Sequence, residues 1–308
     1  MKKQYAIGID LGGTNLRVAL VSEEGELVKK IKVPSSENVR ESLLKSIGDV
    51  FSDDVAGIGF GVAGLIDSEK GVVMESPNLP AIEGLNIPEM VKTRFNVPVY
   101  VENDANAAAL GEKWRGEGKA FRSFVLITLG TGIGGGIIHN HALMNIPAEI
   151  GHMCINTGGD KCSCGNNGCL ELYASAKAML AYAITALENG AESLLRERCK
   201  GNLYKLTSED IYLTALDGDN LAREVLREAG RYLGVGISSI INIFGPDAII
   251  LSGGLIGAWN IFIQEAIKEA SRRAFKPLFD RVKILPSSLG DDAGIIGSSY
   301  LVFTCQRT

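Results

Sequence analysis

One histidine and four cysteines crowd the stretch GHMCINTGGDKCSCGNNGCLE at 151–171: His152, Cys154, Cys162, Cys164 and Cys169. Imidazole and sulfur donors so close together suit a metal ion, a dithiol redox pair, or a nucleophile backed by a base. Their types alone leave all three open. A second chemistry belongs to glycine-rich turns. DLGGT at 10–14 joins a carboxylate, two glycines that let backbone N–H groups approach a ligand, and a hydroxyl, which suits a metal–phosphate complex. On its own it reads equally well as a hairpin turn with an acidic residue at its start. LGTGIGGG at 129–136 repeats the chemistry with five glycines and a threonine, and SGG at 252–254 is a third cluster. A general base is offered by Asp104 in VENDANAAALGE (101–112), with the amide of Asn103 beside it. The competing explanation is a helix N-cap, a position that favours Asp and Asn.

Alternation and turn residues predict the elements that carry these groups. Strands are expected at 4–10, 16–21 and 27–33 as an antiparallel meander, then a helix from Val39 to Phe51 and a strand at 55–64. A helix near 88–95 and a strand at 97–104 follow, and Asp104 opens an alanine-rich helix at the strand's end. FVLITLGTGIGGGII (124–138) then repeats the logic of IGIDLGGTNLRVALV (7–21), so the chain reads as internally duplicated. Each glycine turn is followed by a strand, which excludes the dinucleotide fingerprint, whose pyrophosphate sits on a helix N-terminus. Two such turns facing each other across a cleft would hold a nucleoside triphosphate, with SGG under the nucleoside. Residues 174–236 are mostly helical in pattern, and AIILSGG (248–254) is the last expected strand.

With 308 residues the chain is long enough for two domains, each with its own core. A formal net charge of −5, from 31 basic and 36 acidic residues spread along the chain, carries no footprint for nucleic acid or an anionic membrane. A small soluble substrate is expected. No run approaches the roughly eighteen apolar residues of a membrane span, and MKKQYAIGIDLGG is unlike a signal peptide because Asp10 and a glycine turn interrupt it. These features predict a cytoplasmic protein, in which the six cysteines serve as metal ligands or buried thiols rather than disulfides.

DLGGT, ENDANAAALGE, LGTGIGGG, EIGHM and CSCGNNGCLE, in this order and over nearly the whole chain, resemble the ROK family of sugar kinases and related repressors. The resemblance implies an α/β, two-lobed actin-like (ribonuclease H-like) ATPase fold, duplicated, with a zinc-binding segment in the larger lobe. The lobes would be 1–118, completed by 291–308, and 119–290. It implies ATP-dependent phosphorylation of a hexose 6-hydroxyl with Mg2+, and a homodimer. Residue by residue, Asp104 matches the catalytic base, and Asn103, Glu149, His152 and Glu171 match groups that grip sugar hydroxyls. Gly64 and Asn78 match contacts of glucose-specific members. Gly12, Gly13, Thr14, Thr131, Gly132, Gly253 and Gly254 match the nucleotide-binding turns, and Asp10 the residue that positions magnesium, through water.

The resemblance also decides among the readings of the cysteine-rich stretch. His152, Cys162, Cys164 and Cys169 form a closed four-ligand zinc set with no vacant position, which is structural rather than catalytic. Cys154 is left over as a small core residue. His152 would bind zinc through one ring nitrogen and turn the other to the sugar. The pair His139 and His141 would share a strand face, but lacks further ligands and is expected at a solvent-facing strand end. Two departures from the family stand out. HNHALMNIP (139–147) is shorter than the usual segment and lacks its glycine-rich loop, and Leu65 follows Gly64 where N-acetylmannosamine kinases carry an arginine. The second favours glucose. The alternatives are an N-acetylmannosamine or N-acetylglucosamine kinase, or a sugar-responsive regulator without catalysis. For a repressor, the residues ahead of the first strand are expected to leave no room for a DNA-binding extension.

Overall fold

A computed structural model describes residues 4–35, 38–77 and 79–305. Asn78, expected among the sugar contacts, lies outside them. The chain opens with β1 (Tyr5–Leu11), β2 (Asn15–Ser22), β3 (Leu27–Pro34), α1 (Val39–Val50), β4 (Val55–Val62), β5 (Leu65–Asp67) and β6 (Val72–Glu75). Then come α2 (Ile87–Lys92), β7 (Val99–Asn103), α3 (Asp104–Arg115), β8 (Phe124–Leu129), β9 (Ile133–His139) and β10 (Ala142–Leu143). The remainder is α4 (Glu171–Ala174), α5 (Ala176–Glu188), α6 (Leu195–Arg198), α7 (Ser208–Leu216), α8 (Asn220–Phe244) and β11 (Ala248–Ser252). It ends with α9 (Gln264–Arg273), α10 (Lys276–Phe279), β12 (Lys283–Pro286) and α11 (Ala293–Cys305). Among the described residues no helix is long and apolar enough to cross a membrane.

Two compact units result. The first holds Met1–Leu126, Gly136–Ala148 and Ser287–Thr308; the second holds Ile127–Gly135 and Glu149–Pro286. In the first, the sheet order is β3-β2-β1-β4-β7, with β1 to β3 antiparallel and β1-β4-β7 parallel. The second five-stranded sheet runs β10-β9-β8-β11-β12, the same order by position, and this is the structural form of the duplication read from the sequence. One counterpart is stunted: β3 has eight residues and β10 only two. The segment 139–147, expected to depart from the family, contains this two-residue strand.

Every residue of β4 is buried, as expected of a central parallel strand covered on both faces. Ile7, Ile9, Val18, Ile58, Phe60, Leu43 and Ile47 form the core between this sheet and α1. Helix α11 packs against α3 so closely that a Cβ on Gly297 would stand 1.6 Å from the Ala107 carbonyl oxygen. Only glycine tolerates that approach. Ser298 also accepts the Ile9 N–H at 3.0 Å, tying α11 to β1. In the second unit, α8 is a 25-residue amphipathic helix capped by Asp219 and ended by Gly245 in the left-handed conformation.

Candidate active site and metal site

The metal candidates converge. Donor atoms of His152, Cys162, Cys164 and Cys169 all lie within 4.8 Å of one another. Cys162 Sγ is 3.5 Å from His152 Nδ1 and Cys164 Sγ is 3.6 Å from Cys169 Sγ. Zinc bonds of about 2.3 Å to sulfur and about 2.0 Å to nitrogen give tetrahedron edges of roughly 3.8 and 3.5 Å, so the set could hold zinc with little movement. Burial pushes the Cys169 thiol up, to about 12, and the hydrogens it shares with Cys164 and Cys162 add to the shift. Burial would raise Cys162 too, but hydrogen bonds from Cys164, Cys169 and His152 outweigh it and bring that thiol down to about 7. His152 faces the sulfurs through Nδ1, which leaves Nε2 on the far side of the ring. Cys154 is not the core residue expected from the sequence. It is exposed, and its backbone forms an isolated bridge with Cys169.

At the base candidate, β7 ends at Asn103 and α3 begins at Asp104. Asn103 is the cap: its Oδ1 accepts the N–H groups of Ala105 at 2.9 Å and Asn106 at 3.1 Å, while its Nδ2 donates to the Gly64 carbonyl at 3.1 Å. Asp104 is half-buried in the first turn, accepts the Ala105 N–H at 2.9 Å through Oδ1, and sits where the helix dipole favours a negative group. Beneath them, Glu102 Oε1 accepts from the Asn103 backbone at 2.8 Å and from Asn106 Nδ2 at 3.1 Å. Both Glu102 and Asn106 are buried. Sequence reading singled out neither, although ENDAN displays both at the spacing one helical turn requires.

The first glycine turn, Gly12 to Thr14, joins β1 to β2, and its Gly12 N–H donates to Asn15 at 3.0 Å. Gly13 and Thr14 are exposed at its tip. Asp10 pairs in register with Arg17, and their side chains form an ion pair at 2.7 Å; Arg17 also reaches Asp291 at 2.9 Å. Burial raises the Asp10 carboxyl above its ordinary value, and the Arg17 charge and hydrogen bond oppose that rise. In the second unit the Gly130–Ile133 turn exposes Thr131 at its apex. Gly253 sits against the Leu129 carbonyl with a φ of 96°, and Gly254 has open space around it.

Of the other sugar candidates, Glu149 is exposed and precedes the short turn that carries His152. Glu171 opens α4, and its Oε2 accepts the Ile133 N–H at 2.7 Å. Gly64 has a φ of 136° and its neighbour Leu65 is exposed. His139 and His141 do not share a strand face. Asn140 and His141 both have positive φ, so they are the two-residue turn joining β9 to β10, and His141 Nδ1 meets Lys113 Nζ at 3.0 Å. A further buried carboxylate went unread: Glu112 accepts from Ser287 Oγ at 2.5 Å and from the Glu117 N–H at 2.9 Å, and burial raises its carboxyl.

Residues 6–304 match the sequence model of the ROK family. The glucokinase of Thermotoga maritima is 33% identical, with 98% of each chain covered. The xylose repressor of Bacillus subtilis is 34% identical over 98% of this chain and 77% of the repressor. Among solved structures, a ROK family glucokinase from Streptomyces griseus in complex with glucose and AMPPNP superposes with a TM-score of 0.87 at 31% identity, covering 97% of this chain and 99% of that one. The fold is therefore the mixed α/β, duplicated, actin-like ATPase fold of those sugar kinases.

Proposed function

We propose, from the premise that the chain belongs to the ROK family, that it is an ATP-dependent hexose kinase acting on the 6-hydroxyl of glucose. The observation that carries this is the placement of Asp104. The structural task an aspartate could perform at that junction, capping α3, is performed by Asn103. The Asp104 carboxylate stands half-buried at the junction of β7 and α3, where a general base for a sugar hydroxyl is expected.

In this reading Asp104 accepts the proton of the 6-hydroxyl as that oxygen bonds to the γ-phosphorus and the bond to the β–γ bridging oxygen breaks, giving hexose 6-phosphate and ADP. Positioning supplies most of the rate, because such a transfer needs little covalent help. Asn103, Glu149, His152 and Glu171 orient sugar hydroxyls, with Gly64 and Asn78 completing the glucose contacts. Gly12, Gly13, Thr14, Thr131 and Gly132 offer backbone N–H groups and hydroxyls to the phosphates, and Gly253 and Gly254 give the nucleoside room. Asp10 provides a hard oxygen for the hydrated magnesium, which when bound neutralises phosphate charge. Zinc on His152, Cys162, Cys164 and Cys169 cross-links the segment that carries Glu149 and Glu171. The functional lobes we assign are 1–118 with 291–308, and 119–290; a homodimer and a cytoplasmic location belong to the same proposal.

ADP release measured across glucose, mannose, fructose, N-acetylglucosamine and N-acetylmannosamine tests it, with glucose expected to be best. A regulator without catalysis is the second reading, favoured by the 34% identity to a xylose repressor. Sugar binding by calorimetry without ADP release from any of the five would select it and remove the kinase.

A further inference from the structure

Glu171 was singled out for the sugar, yet in the second unit its carboxylate is bound to the backbone of a glycine turn. Oε2 takes the Ile133 N–H at 2.7 Å, the short distance of a charge-assisted hydrogen bond. The neighbouring residue makes room for it: a Cβ on Gly132 would lie 2.4 Å from the same oxygen. Two more contacts join the turn to the cysteine-rich segment and its continuation. The Ala176 N–H donates to the Gly130 carbonyl at 2.9 Å, and Gly151 passes so close that its Cβ would be 2.3 Å from the Ile133 carbonyl oxygen. Gly130 to Ile133 is thus fastened at both ends and on one flank by residues 151, 171 and 176. Two of these, Gly151 and Glu171, directly adjoin or closely follow the metal candidates His152 and Cys169.

We infer that Glu171 is a positioning residue for the nucleotide-binding turn, so that the zinc segment governs ATP affinity as well as sugar affinity. This rests on the kinase proposal, and deepens it. A glycine turn gains flexibility at a cost to preorganisation, since each N–H must be held in place before phosphate arrives. By accepting the Ile133 N–H, the Glu171 carboxylate anchors the end of the turn whose Thr131 and Gly132 are proposed to meet the phosphates. A Cβ at residue 132 would push that carboxylate oxygen aside.

The test compares wild type with Glu171→Ala and Glu171→Gln, reading AMPPNP affinity by calorimetry and exchange of the Ile133 amide by NMR. Loss of the acceptor in Glu171→Ala should weaken AMPPNP about tenfold or more and speed Ile133 exchange by a similar factor. Glu171→Gln keeps an oxygen for the same N–H and should stay within about threefold of wild type in both. Chelation of zinc from wild-type protein should speed the same amide. If Glu171→Ala does not fold, Gly132→Ala ejects the carboxylate with Glu171 still present, and faster Ile133 exchange is expected there. Unchanged AMPPNP affinity and unchanged Ile133 exchange, with only the glucose KM raised, would overturn the inference and leave the kinase standing. Wild-type protein that binds glucose but neither binds AMPPNP nor releases ADP defeats the kinase proposal and the role in ATP affinity together.

Discussion

Asn103 caps the helix that Asp104 begins: its Oδ1 receives the Asn106 N–H at 3.1 Å. Asp104→Asn should therefore leave the cap and the fold intact. Turnover should fall by at least about a hundredfold, the usual contribution of a general base, while glucose affinity stays near normal. Steady-state kinetics paired with calorimetry decide it, and retained turnover would take Asp104 out of the mechanism.

Arg17 is the group that keeps Asp10 ionised. The folded Asp10 carboxyl lies above its ordinary 3.8 because burial outweighs Arg17. Between that ordinary value and the raised one, the native state holds more protons than the unfolded chain, so stability from the protonated form is present below 3.8 and lost as pH rises through the raised value. Arg17→Met removes the opposing charge and lifts the folded value further. The variant should be destabilised by about 3 kcal/mol at pH 7, the low end for a broken buried pair, and by distinctly less near pH 3, below the ordinary 3.8 and the raised folded value alike. Urea unfolding at the two pH values measures this. An equal penalty at both would mean that Arg17 stabilises the fold by packing alone.

The four-donor cluster should carry one zinc per chain, because its S···S and S···N separations of 3.6 and 3.5 Å already approach the edges of a zinc tetrahedron. Cys164 is the exposed member, so Cys164→Ser disturbs packing least while removing a thiolate. The variant should lose zinc and unfold at least about 5 °C lower. Elemental analysis and calorimetry read both. Zinc-free wild-type protein with an unaltered melting point would refute the metal assignment.

Much of this was legible before any coordinates. The apolar strand patterns of β1, β2 and β4 and the two strand–turn–strand repeats led directly to the duplicated sheets, because short apolar runs bounded by glycine turns are local signals. Helix α11 was not, for a physical reason: AGIIGSSYLVFTC is apolar on every side, so it shows no stripe, and only burial against β1, β4 and α3 makes it a helix. Its residues Gly297 and Ser298 hold α3 in place from the far end of the chain. The links Asp10–Arg17 and Glu171–Ile133 were equally hidden, since each depends on a pairing register or on tertiary approach that composition does not encode, whereas Glu102–Asn106 was open to reading from its four-residue spacing. Motif spacing supplied the ligand types; folding supplied their partners.

Sugar choice is the sharpest remaining consequence. The groups proposed to meet the sugar, Asn103, Glu149, His152 and Glu171, are polar, and a site built to bond hydroxyls leaves its own groups unpaired when one is missing, a penalty that can reach about 10⁴-fold. Deoxyglucoses should therefore be poor substrates. An N-acetyl group requires extra room and a partner of its own. Leu65, exposed beside Gly64, offers an apolar surface where the family resemblance implies a cation in N-acetylmannosamine kinases, and Gly64 is itself tied to Asn103 through its carbonyl. A two-residue β10 would give the opposite bias only by opening space where the segment at 139–147 is expected to wall the sugar. Space without a hydrogen-bonding partner does not select an amide, so kcat/KM for glucose should exceed that for N-acetylmannosamine. Substituting Leu65→Arg should narrow the gap by improving N-acetylmannosamine. If the wild-type protein phosphorylates N-acetylmannosamine more efficiently under matched conditions, the glucose assignment fails while sugar phosphorylation itself stands.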